Sequence, residues 1–175
     1  MISHLSHRQP DSPGLTARYR HAFEIRVRYD DIDTFGHVNN KSYLTYLEDA
    51  RIDYYRTVLG IDLRTLQFSA VVRRIEIAYE SPIYLSDAVH VYVRCSRIGK
   101  KSADFEAVVT RTESSGSESI AATSLTTMVA IDPETGVSRE WDVGSVKAIE
   151  AFETVTPLRG RAGREDNGPD RGNAP

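Results

Sequence analysis

Apolar and polar residues alternate from Phe23 to Tyr29, with Phe23, Ile25, Val27 and Tyr29 interleaved with Glu24, Arg26 and Arg28, and this period of two predicts a strand. At Val38 the period lengthens. Tyr43, Leu47, Ala50, Tyr54 and Val58 recur at helical spacing, with Asn39 or Asn40 as a candidate N-cap and Gly60 as a natural stop. With Asn39 as the cap, Val38 and Tyr43 take the two positions of a hydrophobic staple. The outcome is one helix of about five turns, long for a globular domain. The period then returns to two in four extended runs: "FSAVVRRIEIAYESPIYL", "AVHVYVRCSRIG", "ADFEAVVTRTE" and "ESIAATSLTTMVAID". In the second of these Val89, Val91, Val93 and Cys95 share one face. The last is small and apolar on both faces, as a central strand would be. Short connections favour antiparallel neighbours, so the pattern predicts an α+β fold with one long helix packed on a five-stranded antiparallel sheet.

The two ends read differently. Residues 1–19 contain Pro, Ser and His among scattered apolar positions and read as a flexible N-terminal segment. Residues 157–175, "PLRGRAGREDNGPDRGNAP", hold four Gly, three Pro and four Arg, too little apolar surface to offset ordering entropy, and read as a disordered tail. One domain over residues 20–156 remains, without an internal repeat. At 175 residues and 40% hydrophobic the chain can bury a core of that size. Its 22 basic and 25 acidic residues give a net −3, which does not suggest nucleic acid or anionic membrane as a partner. The single cysteine, Cys95, precludes an intramolecular disulfide and a cysteine-based metal site. With no signal peptide and no apolar run long enough to span a membrane, the expected location is cytoplasmic.

The segment "YDDIDTFGHVNNKSYLTYLEDAR", residues 29–51, concentrates ionisable and amide groups where the strand hands over to the helix. Asp33 falls on that turn, and the helix start beyond it offers unpaired backbone N–H groups and the positive end of the helix dipole. A carboxylate and an oxyanion site can therefore come from one short segment. Turn capping by Asp33 is the alternative reading from the residues alone. Asp30 and Asp31 read as solvated turn carboxylates.

The order of a strand, "DxDxxGHVNNxxYxxYxExAR", a long helix and four strands resembles the hotdog-fold acyl-CoA thioesterases, in particular the 4-hydroxybenzoyl-CoA thioesterase-like family, over residues 20–132. "AYESPIYLSDAVHV" and "RIGKKSADFEAVV" resemble later segments of that family, with Ser86-Asp87 where Gly-Asp is usual. The resemblance implies a hotdog fold, hydrolysis of an acyl-CoA thioester, Asp33 as nucleophile or general base, and a backbone N–H near Asn40 polarising the thioester carbonyl. It also implies a homodimer or dimer of dimers that pairs edge to edge, with residues of both subunits in each site.

His37 can act as a second base or a donor to the carbonyl, although support of the helix start is preferred. Asn39 caps the helix or contacts substrate. Tyr43 could line the acyl pocket, though core packing is the commoner role at that spacing. Glu48 either reaches the site or pairs with Arg51 at i,i+3 on the surface, the preferred reading. Arg73, Arg74, Arg97, Lys100 and Lys101 form two basic clusters that could dock the coenzyme A phosphates. No phosphate loop or metal-ligand cluster is apparent, so neither cofactor nor metal is expected. Alternative activities are acyl-carrier-protein thioester hydrolysis, hydration by an Asp33–His37 pair, and non-catalytic acyl-CoA binding.

Overall fold

A computed structural model of the chain describes residue 14 and residues 17–160, except 63, 65–68, 114 and 115. Strands β1 (His21–Ile25), β2 (Ala70–Tyr79), β3 (Ala88–Ile98), β4 (Ser102–Thr112) and β5 (Glu118–Ala130) form one sheet in the order β1-β3-β4-β5-β2. Every neighbouring pair along that order is antiparallel. Helix α1 (Asn40–Leu59) carries the chain from β1 at one edge across a sheet face to β2 at the other. Strands β3, β4 and β5 follow through short connections as neighbours between those edges. This is the α+β hotdog architecture expected from the sequence.

The helix has the expected ends. The Asn39 side chain accepts the Lys41 N–H, and Gly60 closes the helix at φ 66°, a left-handed conformation that glycine adopts without a steric penalty. Tyr43, Leu47, Ala50 and Tyr54 are buried against the sheet, where Val89, Val91, Val93 and Cys95 form the opposing face. Burial pushes the Cys95 thiol far above the ordinary thiol range. The other sheet face carries a second, smaller cluster, in which Tyr19 meets Tyr92 edge-on at 6.3 Å beside Val108. Tyr19, grouped with the flexible N-terminal segment, is thus packed; residues 1–13, 15 and 16 lie outside the described residues.

Three elements go beyond the expected count, the first a 3-10 turn at Tyr29–Asp31, where the alternation extends the predicted first strand to Tyr29. Residues Val143–Phe152 form a second helix, α2, capped by the Asp142 side chain on the Ser145 N–H. Residues Leu158–Arg159 form β6, which pairs parallel with β3 at Arg97 and Ile98. Residues 157–160, assigned to the disordered tail, are therefore placed against the sheet, while 161–175 lie outside the described residues.

Glu153, just past α2, ties that helix to α1 and to the sheet. Its Oε1 accepts the Tyr54 hydroxyl at 2.6 Å and the Cys95 N–H at 2.7 Å, while Oε2 is buried with no partner among the described residues. Burial raises the Glu153 carboxyl above the ordinary value, against the opposing pull of the Tyr54 and Cys95 hydrogen bonds. The native state therefore holds this proton at pH values where the unfolded chain has released it. The resulting stabilisation is complete below the unfolded carboxyl value and is lost as pH rises through the raised one. Glu153→Gln keeps an acceptor for both donors and should flatten this part of the curve. Melting temperatures of the two proteins across pH 4 to 8, on the order of the carboxyl range, check it: the parent should lose ground to the variant as pH rises.

Candidate active site

Asp33 sits on a turn built by its own backbone. Its N–H donates to the His37 carbonyl at 2.9 Å, and its carbonyl accepts the Gly36 N–H at 3.0 Å. Gly36 adopts φ 82°, which lets the chain reverse between them. One carboxylate oxygen, Oδ1, accepts the Phe35 N–H at 2.8 Å. The other, Oδ2, lies 3.5 Å from His37 Nδ1. The carboxylate is part-shielded, at 19% exposed. Phe35 at the turn tip is 83% exposed and stacks on the His37 ring, with 6.0 Å between centroids.

Asn40 is the first residue of α1. Its backbone N–H falls before the helical hydrogen-bond ladder begins and has no partner among the described residues. The Asn39 side chain faces the next N–H, that of Lys41, at 3.0 Å. Asp33, Phe35, His37, Asn39 and Asn40 together line an open depression of about 500 Å³. Residues that carry a carboxylate, an imidazole and, at the positive end of a 20-residue helix, an unpaired N–H thus border one space.

Aromatic side chains back the helix start. Tyr43 is buried, points its hydroxyl at the Ser81 carbonyl at 3.5 Å, and meets Tyr79 edge-on at 5.1 Å. Its phenol is pushed up to about 12 by burial. Tyr79 in turn donates to the Asn40 carbonyl at 3.4 Å. Tyr79 and Phe35 escape the sequence reading, although an exposed aromatic at a polar turn and one at a strand end beside Ser81-Pro82 are both visible there.

Asp31 corrects an expectation. Far from being solvated, it is 3% exposed. Its Oδ2 accepts the Arg28 N–H at 2.8 Å and the Tyr46 hydroxyl at 2.8 Å, and the Arg28 guanidinium completes an ion pair at 3.2 Å. Burial alone would raise this carboxyl, but the donors from Arg28 and Tyr46 outweigh it and hold it below the usual range.

The remaining candidates scatter. Glu48 is exposed on α1 and forms no pair with Arg51, which is 6% exposed; the i,i+3 spacing brings them near, but Arg51 turns inward. Arg97 is also a correction. Its guanidinium is engaged by Asp104 at 2.6 Å, the Gly160 carbonyl at 2.8 Å and the Ser102 hydroxyl at 3.1 Å, which leaves it unsuited to a phosphate. Lys100 pairs with Glu140 at 2.8 Å, and Lys101 reaches the Ser138 carbonyl at 3.0 Å. Arg73 and Arg74 are exposed on edge strand β2, the latter paired with Glu76 at 2.6 Å. Tyr79, beside Asn40, lies opposite Ala122, whereas Lys101 bonds Ala130 at the other end of β5. That strand length is roughly 27 Å, so the lysine hairpin does not reach the depression of its own chain.

A family model described as the thioesterase-like superfamily matches residues 27–156. The chain belongs to that superfamily. Thioester hydrolysis is accordingly its chemistry, and the superfamily members it is similar to include the long-chain acyl-CoA thioesterase FadM of Escherichia coli K12. That protein is 34% identical over 113 residues, which cover 64% of this chain and 83% of FadM. Among solved structures, a Thermus thermophilus thioesterase complexed with coenzyme A and Zn is 32% identical at TM-score 0.70, covering 80% of this chain and 98% of that one. A 4-hydroxybenzoyl-CoA thioesterase variant complexed with 4-hydroxybenzoyl-CoA shares the fold at TM-score 0.66 and 15% identity, covering 73% of this chain and 96% of its own. Among the described residues of the present superfamily member, no three of His, Cys, Asp and Glu group to hold a metal ion, and no helix is long and apolar enough to cross a membrane.

Proposed function

We propose that the protein hydrolyses acyl-CoA thioesters in the depression at the start of α1. The observation that carries this reading is that Asp33 and Asn40, whose N–H has no partner among the described residues, line the same depression. The thioester carbonyl oxygen accepts the Asn40 N–H, and the positive end of the helix dipole favours the negative charge that grows there. Asp33 then acts through Oδ2, since Oδ1 is held by Phe35. It either takes a proton from an attacking water or attacks the carbonyl carbon itself, and the coenzyme A thiolate leaves in both cases. His37, 3.5 Å from Oδ2 and stacked under Phe35, orients the turn. The named activity of FadM and the coenzyme A bound by the Thermus thermophilus neighbour support coenzyme A over an acyl-carrier protein as the carrier.

Assembly belongs to the same proposal. Strand β2 ends the sheet and exposes Val71, Val72 and Tyr79, an edge open to another strand. Antiparallel pairing of two β2 strands would form a homodimer and bring the partner's Arg73 and Arg74 end toward this chain's Tyr79 and Asn40. Those arginines, rather than Arg97 or the lysine hairpin of the same chain, are then placed for coenzyme A phosphates.

Free-thiol release from a panel of acyl-CoAs, run beside an enoyl-CoA hydration assay, tests the reaction. Thiol release without hydration is expected; hydration alone would move the site to the Asp33–His37 hydratase reading. Sedimentation at assay concentration should give a dimer or a dimer of dimers, and a fully active monomer would refute the shared site.

A further inference from the structure

We propose that Asp31 is a positioning residue that sets the spacing between the Asp33 carboxylate and the Asn40 N–H. The inference rests on the proposed roles of those two groups. They stand on opposite arms of one turn, Asp33 on the arm leaving β1 and Asn40 on the arm entering α1. Within the turn the arms meet at the Asp33 N–H to His37 carbonyl bond, 2.9 Å. Asp31 makes the next connection. Its carbonyl accepts the Asn39 N–H at 2.7 Å and lies 3.5 Å from the Ser42 hydroxyl. Asn39 immediately precedes Asn40, and Asp31 lies two residues before Asp33.

The Asp31 side chain then fixes this connection to the rigid part of the helix. Tyr46, in the second turn of α1, is 2% exposed and donates its hydroxyl to Oδ2 at 2.8 Å. Arg28 holds the same carboxylate from the strand side through its N–H at 2.8 Å and its guanidinium. One residue therefore bonds the strand arm, the helix arm and the helix body. A tilt of Asp31 would move the carboxylate relative to the N–H, and an error near 1 Å in such a site costs on the order of 100-fold in rate. Arg28, Asp31 and Tyr46 do not line the depression, so the effect should fall on kcat.

Tyr46→Phe removes a single hydroxyl and keeps the ring, and Asp31→Asn removes the charge at constant size. Both should lower kcat for acyl-CoA hydrolysis, Asp31→Asn by roughly 10- to 100-fold and Tyr46→Phe by less. KM should stay within about twofold, as expected when only transition-state geometry is lost. A merely structural role would lower the melting temperature and leave kcat per folded enzyme at the parent value, and that result would overturn the proposal. Should Asp31→Asn not fold, Tyr46→Phe decides alone. Asp33→Asn, measured alongside, separates the two levels. An active Asp33→Asn overturns the reading of the site and this inference with it. An inactive one beside a Tyr46→Phe and Asp31→Asn of parental kcat overturns only the positioning role.

Discussion

Replacing Asp33 with asparagine is expected to lower thiol release from acyl-CoA by on the order of 10²- to 10⁴-fold, with the fold intact. The two side chains are nearly isosteric, and the amide oxygen can still accept the Phe35 N–H that holds Oδ1. What disappears is the ability to take a proton from water or to form an anhydride with the acyl group. Neither route survives the change, so the loss is large whichever one operates. His37→Gln should cost less, because His37 Nδ1 lies at 3.5 Å from Oδ2, beyond the span of a strong charged hydrogen bond. Steady-state kinetics of the two variants with one acyl-CoA check the order. Near-parental turnover in Asp33→Asn would remove Asp33 from the chemistry, and a larger loss in His37→Gln would favour the hydratase reading.

The largest expected effect on stability falls at Tyr54. It is fully buried, and its ring meets His21, Tyr55, Phe105 and Phe152 edge-on at centroid distances between 5.5 and 6.1 Å. These rings come from β1, α1, β4 and α2, so Tyr54 is where the long helix, the sheet and the second helix meet. Tyr54→Ala removes those contacts and leaves a cavity that the surrounding strands cannot close, and should cost about 3–5 kcal/mol. Tyr54→Phe keeps the ring but withdraws the donor from Glu153 Oε1, and should cost about 1–3 kcal/mol. Urea midpoints at constant m-value measure both. A cost for Tyr54→Ala below that of Tyr54→Phe would mean that the ring cluster does not seat the helices.

Much of this was legible in the chain because period reports directly on burial. The one-sided run of Val89, Val91, Val93 and Cys95 is the inner face of β3, and Asn39 and Gly60 do bound the long helix. Helix α2 has its own signal, Asp142 as a cap followed by Val146, Ile149 and Phe152 at spacings of three. It is ten residues long and follows a polar turn, and so short a period is easily passed over. Asp31 is a different matter. Its burial depends on Tyr46 folding back from fifteen residues downstream, which no local pattern reports. Arg97 likewise finds Asp104 across the β3–β4 hairpin, beside a register shift between Cys95 and Arg97, so a basic cluster in the sequence becomes an internal ion pair. Local spacing placed Asp33, His37 and Asn40 together because all three lie on one turn. Residues joined only by the sheet could not be read this way.

The sole cysteine of the chain is sealed under the helix, with its thiol strongly disfavoured from ionising. A colorimetric thiol reagent added to follow coenzyme A release should therefore see product and not enzyme. The same reagent at high concentration becomes a clock for the protein itself: each labelling event requires α1 to lift from β3, so the labelling rate reads how often that layer opens. A cysteine introduced at an exposed position could carry a fluorophore without first deleting the native one.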